Sequence, residues 1–405
     1  MLFGIPGGFG GERGVEALAR RKGAVGCEQG RSHRLRMEAA MGTGTKMPLE
    51  TGMEKTTETT IKMTTEMTTK MTTERTTATM TDIVKKNPSQ WRLQTGRWRL
   101  WQWRGWQVKY TYLPGTGEGA AHPPIVAVHG FGASIGPWRY NFDLWAQGGA
   151  VFALDLVGFG GSEKPPTDYS GTLWVAQVTA FLDEVVGESA ILVGNSIGSA
   201  IAMTIADQSR REGNVQRVAA VIALSLPDTA ARTEILPAPL VPVVSFVERV
   251  VANPLLLKTI FYWVRRPSVI RKWVGIAYPD KTAIDDDLVE ILSGPPQETG
   301  TAEAFVRILR GMTSPTFSPS MKPVLAASTV PVLVLWGSCD AMIPPALAKG
   351  FEGLNPLVTV RSLDGLGHCP HDEAPDKINP IVLHWIAETV SSLPSPSPTA
   401  PVPVP

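Results

Sequence analysis

The sequence predicts an α/β fold: a mostly parallel central sheet flanked by helices, with a helical lid insertion. Three observations carry this. Short, continuous apolar runs alternate with segments of helical period, as strands buried on both faces require. One such run, Ile191-Leu192-Val193, breaks into Gly194-Asn195-Ser196-Ile197-Gly198 and is followed by small residues. That is strand, tight turn and helix in succession. Finally, the alternation stops between Pro227 and Thr329 and then resumes.

The first elements come late. Residues 1–90 are an expected low-complexity extension: 1–46 are rich in Gly and Arg, and Thr-Thr pairs recur from Thr56 to Thr77. Such a segment has too few large apolar residues to bury a core. Its basic, hydroxyl-rich character fits an organelle transit segment in part, against which stand Glu12, Glu16, Glu28 and Glu38. From Trp91 the composition changes, with Trp91, Trp98, Trp101, Trp103 and Trp106 close together. Trp98–Trp103 and Trp106–Tyr112 read as two strands around a turn at Gly105, a hairpin at the domain edge. Its Trp and Arg side chains also suit a membrane interface.

Pro124–His129 is a short buried strand that runs into His129-Gly130-Phe131-Gly132-Ala133-Ser134. Ala150–Leu156 is the next strand, and Asp155 is expected to bind backbone N–H groups in the glycine-rich turn after it. Thr172–Gly187 carries Val175, Val178, Leu182 and Val185 at helical spacing. Ser189–Val193 leads to the Ser196 turn, Ile197–Gln208 is the helix behind it, and Val218–Leu226 is a further strand. Between 228 and 329, Leu240–Val251, Leu255–Trp263 and Ala304–Leu309 read as helices of a lid whose apolar lining points to a hydrophobic substrate. Pro331–Trp336 and Val358–Leu363 resume the sheet, Ile378–Val390 closes the domain as a helix, and 391–405 is a Pro-rich tail. The core is therefore expected over 91–227 and 330–390.

Composition narrows the function. The 405 residues carry a formal net charge of +1, so nothing points to nucleic acid or to an acidic substrate. No apolar run reaches the length of a membrane span. Cys27, Cys339 and Cys369 lack metal-ligand spacing and read as small thiols without a disulfide framework. No metal or other cofactor is expected.

The chemistry centres on Ser196. A serine hydroxyl needs a base in hydrogen-bond reach, and the base needs a carboxylate to fix its tautomer. Asp340 follows one strand and His368 the next, so all three residues fall at one sheet edge. His371 competes with His368, which is preferred because Gly365 and Gly367 free its loop. His384 lies in the closing helix, and His129 precedes the serine and reads as structural. Asp228 and Asp155 are rival acids, each less well framed than Asp340. The N–H groups of Phe131 and Ile197 are the expected oxyanion donors, Ile197 at a helix start. A serine at this turn argues against relatives that place an aspartate there, such as epoxide hydrolases and haloalkane dehalogenases.

These motifs resemble α/β hydrolases from Trp98 to Val390. Within that superfamily the chain looks most like the plastid chlorophyll dephytylase and pheophytinase-like branch. The residues that carry this are His129-Gly-Phe-Gly-Ala-Ser, Trp138-Arg139-Tyr140-Asn141, Asp155-Leu-Val-Gly-Phe-Gly-Gly-Ser, Gly194-Asn-Ser-Ile-Gly and Gly367-His-Cys-Pro-His-Asp-Glu-Ala-Pro. Arg266-Pro-Ser-Val-Ile and Asp285-Asp-Asp-Leu-Val-Glu are also similar. The resemblance implies hydrolysis of the phytol ester of chlorophyll or pheophytin by Ser196, Asp340 and His368, in the chloroplast, with peripheral thylakoid contact. Ser199 departs from the pattern, standing where relatives commonly have a glycine. Two alternatives stay open: another lipid esterase or C–C bond hydrolase, and a slow-turnover ligand receptor on the same scaffold.

Overall fold

The computed structural model describes residues 98–117, 122–214, 216–228, 253–314 and 316–390. The expected extension over 1–90, the stretch Leu240–Val251 and the tail over 391–405 lie outside the described residues.

Eight strands form one sheet: β1 (Trp98–Trp103), β2 (Trp106–Leu113), β3 (Ile125–Val128), β4 (Val151–Leu154), β5 (Ala190–Asn195), β6 (Val218–Leu224), β7 (Val332–Gly337) and β8 (Val358–Leu363). Their order is β1-β2-β4-β3-β5-β6-β7-β8. The β1–β2 hairpin is antiparallel and pairs antiparallel to β4, while every pair from β4 to β8 is parallel. The chain winds one way from β3 to β4 and the other way from β5 onward, so the order reverses between β3 and β5. Ligands of open α/β sheets bind outside the carboxyl ends of the strands at such a reversal.

The continuous apolar runs have a simple cause. Alternate residues of each inner strand enter two different cores. Val126, Val128, Leu192, Val221 and Val334 face one side, with Trp174, Phe181, Ile201 and Ile205. Ile125, Ala127, Ile191, Ile222 and Leu335 face the other, with Trp138, Phe142, Trp145, Ile378 and Trp385. Burying each Val, Leu, Ile or Phe among these contributes roughly 1.5–3 kcal/mol, so a polar residue at either parity is costly.

The first core is covered by α1 (Gly171–Phe181) and α2 (Ile197–Arg211). Ser170 caps α1, its hydroxyl accepting from Leu173 N at 3.1 Å. The sequence reads one α-helix through Gly187, but from Leu182 to Val186 the winding widens to a π turn, which Gly187 stops at φ 72°. Between β6 and β7 stand α3 (Pro254–Val264), α4 (Pro267–Ala277), α5 (Asp286–Ser293), α6 (Thr301–Met312) and α7 (Met321–Ala326). This helical insertion matches the expected break in the alternation. The closing helix α8 (Pro375–Thr389) begins earlier than the Ile378 expected, with Pro375 in its first turn.

The cysteines divide. Cys369 is a free thiol. Cys339 is disulfide-bonded, which corrects the reading of all three as thiols.

Candidate active site

The site starts from a backbone constraint. Ser196 follows β5 and precedes α2, with φ 55° and ψ −120°, a region that side-chain-bearing residues seldom occupy. Its N–H continues the ladder to Leu224 O at 2.9 Å, while its carbonyl accepts from Ser199 N at 2.9 Å to begin the helix. The reversal needs two glycines. A Cβ on Gly194 would sit 2.4 Å from Gly198 backbone, and one on Gly198 would sit 2.2 Å from Val128 O. Ser199 is buried, and its hydroxyl donates to Ser196 O at 2.5 Å.

Ser196, Asp340 and His368 follow β5, β7 and β8 and so share one sheet edge. His368 Nδ1 lies 2.8 Å from Asp340 Oδ2. The other Asp340 oxygen accepts N–H bonds from Met342 at 2.8 Å and Ile343 at 2.9 Å. Burial pushes the Asp340 carboxyl up, but the hydrogen bond and charge of His368 and the Ile343 N–H outweigh it and hold it below its ordinary value. An ionised Asp340 keeps the proton on Nδ1 and leaves Nε2 of His368 as an acceptor.

The rival residues have other employment. His129 Nδ1 donates to Gly130 O at 2.7 Å, and its Nε2 accepts from Leu156 N at 3.0 Å. Burial depresses its pKa, so it stays neutral. His371 packs on Trp138 at 4.1 Å between ring centres, and burial pulls it down to about 3. Asp155 accepts from Ile135 N and from Gly161 N, each at 2.7 Å, and thereby joins the Phe131 loop to the turn after β4. Asp372 accepts from Arg139 Nε at 2.8 Å, and Glu373 from Gly367 N at 2.7 Å.

Several residues that sequence reasoning passed over hold the histidine. Asn195 Nδ2 donates to His368 O at 2.9 Å, and the Ser225 hydroxyl lies 3.2 Å from the same oxygen. His368 N donates to Ala277 O of the insertion at 2.8 Å. Gly367 is glycine for space, not for freedom: a Cβ there would lie 2.2 Å from Ala277 O and 2.3 Å from Pro279 Cδ. Asn195 carries a sequence signal, since it stands inside the tight turn. Ser225 and Ala277 carry none.

A cavity of about 300 Å³ opens above this edge. Ser196, His368, Gly130 and Phe131 line its floor, and Phe261, Trp273, Phe305 and Ile308 line its roof. The ring of Phe131 meets Phe305 at 6.3 Å, and Phe305 meets Phe261 at 4.9 Å. Among the described residues, no group of His, Cys, Asp and Glu is arranged to hold a metal. Ile197 opens α2, where the first N–H groups have no partner within the helix and the dipole favours an anion.

A serine on a strained turn after a parallel strand, with a histidine–carboxylate pair beside it under a helical insertion, defines the architecture of an α/β hydrolase. The chain belongs to the alpha/beta hydrolase family, whose model matches residues 125–381. It is 25% identical to an uncharacterized hydrolase of Bacillus subtilis, over 65% of this chain and 89% of that protein. Two solved structures share the fold. A meta-cleavage product hydrolase of Pseudomonas fluorescens IP01 is 20% identical, with a TM-score of 0.56 over 72% of this chain and 97% of its own. A thermophilic esterase of Thermogutta terrifontis is 19% identical, with a TM-score of 0.55 over 73% of this chain and 99% of its own.

Proposed function

We propose that this protein hydrolyses a carboxylic ester of a hydrophobic substrate, with Ser196 as nucleophile, His368 as base and Asp340 as its orienting acid. The observation that carries the reading is the 2.8 Å contact between His368 Nδ1 and Asp340, beside a serine that lines the same apolar cavity as the histidine. Ser196 Oγ bonds to the ester carbonyl carbon while His368 Nε2 takes its proton. The N–H groups of Phe131 and Ile197 stabilise the oxyanion, each by about 2.7–4 kcal/mol. His368 returns the proton to the leaving alcohol as the C–O bond breaks. Water then attacks the acyl-serine by the same route, and the acid departs.

The finer reading is an ester of a long isoprenoid alcohol, such as the phytol ester of chlorophyll or pheophytin. Location in the chloroplast and contact with thylakoid lipid belong to that reading. A cavity of about 300 Å³ is at the small end of ligand pockets, so it takes the scissile ester and an apolar stretch beside it. The bulk of a pigment would lie outside.

The test is turnover of p-nitrophenyl esters, pheophytin a and chlorophyll a by the whole chain and by Ser196→Ala. The substitution is expected to lower ester turnover by about 10⁴–10⁶-fold. Phytol release by the native chain alone supports the pigment reading. Cleavage restricted to small esters removes it and leaves the esterase. Serine-dependent cleavage of a C–C bond with inert esters moves the protein to the chemistry named for the meta-cleavage product hydrolase. Serine-independent or absent turnover on every substrate removes the enzyme reading and favours a receptor.

A further inference from the structure

Among the described residues, the helical insertion meets the His368 loop at residues 277–280, at the end of α4. Three contacts close that junction. His368 N donates to Ala277 O at 2.8 Å. One Glu373 oxygen accepts from Gly367 N at 2.7 Å and the other from Asp280 N at 3.0 Å, so a single carboxylate bridges the histidine loop and the insertion. The Tyr278 hydroxyl donates to Asp372 Oδ2 at 2.9 Å. Asp372 is buried, and its other oxygen is held by Arg139 Nε, whose Nη1 reaches Asp285 Oδ1 at 2.9 Å at the start of α5. At Gly367 the approach is close: even a methyl group there would overlap Ala277 and Pro279. At Phe131 the insertion meets the site differently, through apolar packing on the Leu257, Val306 and Leu309 cluster and the ring of Phe305 at 6.3 Å.

We propose that Glu373 and Tyr278 are positioning residues for His368, and that 277–280 is a fixed part of the histidine's seat rather than part of a moving lid. The histidine main chain is then gripped from two bodies. Asn195 and Ser225 hold its carbonyl from the sheet, and Ala277 holds its N–H from the insertion. Substrate enters where the insertion is held by aromatic packing, by displacement of Phe305 and Phe261, and not by parting of this junction. A histidine misplaced by a fraction of an ångström loses catalytic geometry while the pocket still binds, so the effect falls on kcat and not on KM.

The turnover arm rests on the Ser196 esterase reading, so a second arm is independent of it. Glu373→Gln keeps the size but puts an amide NH₂ against one of the two N–H donors, and Tyr278→Phe removes one hydroxyl. Kinetics on a p-nitrophenyl ester are normalised to serine titrated with a fluorophosphonate. The low-field His368 Nδ1–H proton signal is followed by NMR and identified by its loss in His368→Gln. Glu373→Gln is expected to lower kcat per titrated serine by about tenfold or more with KM within about twofold, and to broaden or abolish the signal. Tyr278→Phe moves both the same way by less, and keeps the test alive if Glu373→Gln does not fold. An unchanged signal and unchanged kcat per titrated serine overturn the proposal, even where thermal stability falls. If the native chain turns over no ester, the esterase reading fails, and the NMR signal alone decides the positioning role.

Discussion

The floor and the roof of the cavity are built by different physics. On the floor, Ser196, Asp340 and His368 are each placed by a parallel strand whose ladder fixes the backbone within a few residues of the side chain. The roof is made of short helices that present side chains: Phe261 and Ile270 point inward, while Leu255, Tyr262 and Trp263 of α3 stay exposed. Ladder hydrogen bonds tolerate little displacement, whereas helix packing tolerates exchange of one apolar residue for another. On the proposed reading, the chemistry belongs to the floor and substrate choice to the roof.

The sharpest way to break this contrast is Asp340→Asn. The shape is kept, but the tautomer of His368 is no longer fixed, and kcat is expected to fall by about 10⁴-fold with the fold intact by circular dichroism. Retention of native kcat would hand the acid role to a residue other than Asp340. Next comes Gly367→Ala, at the boundary of floor and roof. Its Cβ meets the insertion's backbone, so the His368 loop must shift, and a loss of about 10²-fold in kcat is expected. Activity equal to wild type would mean that the two bodies are not tightly joined there.

A third test is a matter of pH. His371 is buried against Trp138 and held neutral down to about 3. The unfolded chain takes up that proton near pH 6.5, the folded chain only near 3, so stability is full above about 6.5 and falls as acid is added. Between these values the slope contributed by this group is about 1.4 kcal/mol per pH unit. Chemical denaturation of His371→Phe across pH 4–7 should give a flatter profile, and an unaltered slope would place the acid sensitivity elsewhere. The smallest effect is expected on the roof. Phe305→Ala should raise KM for long-chain esters several-fold and leave kcat for short ones within about twofold. A collapse of kcat for short esters would show that the roof takes part in the chemistry.

Much of the floor was legible along the chain. The inner strands announce themselves because both of their faces are buried, which leaves no polar parity to interrupt the run. The tight turn announces itself because Gly194 and Gly198 have no room for a Cβ. Asp155 was read as a turn acceptor, and it is one. The reading of Gly367 was different in kind. From sequence it offered flexibility, but in the fold it offers absence of volume, since the backbone that needs the space arrives from the insertion.

What the sequence by itself determined is what depends on near neighbours: strand parity, helix period, the glycines of the turn, and the order of serine, aspartate and histidine, each after a strand. Tertiary structure alone decided which carboxylate meets His368, which groups grip its main chain, and that Arg139 links buried Asp372 to half-exposed Asp285. Those pairings join residues far apart along the chain. No local pattern encodes such a distance; it is set by how the sheet reverses between β3 and β5 and by where the insertion comes down on it.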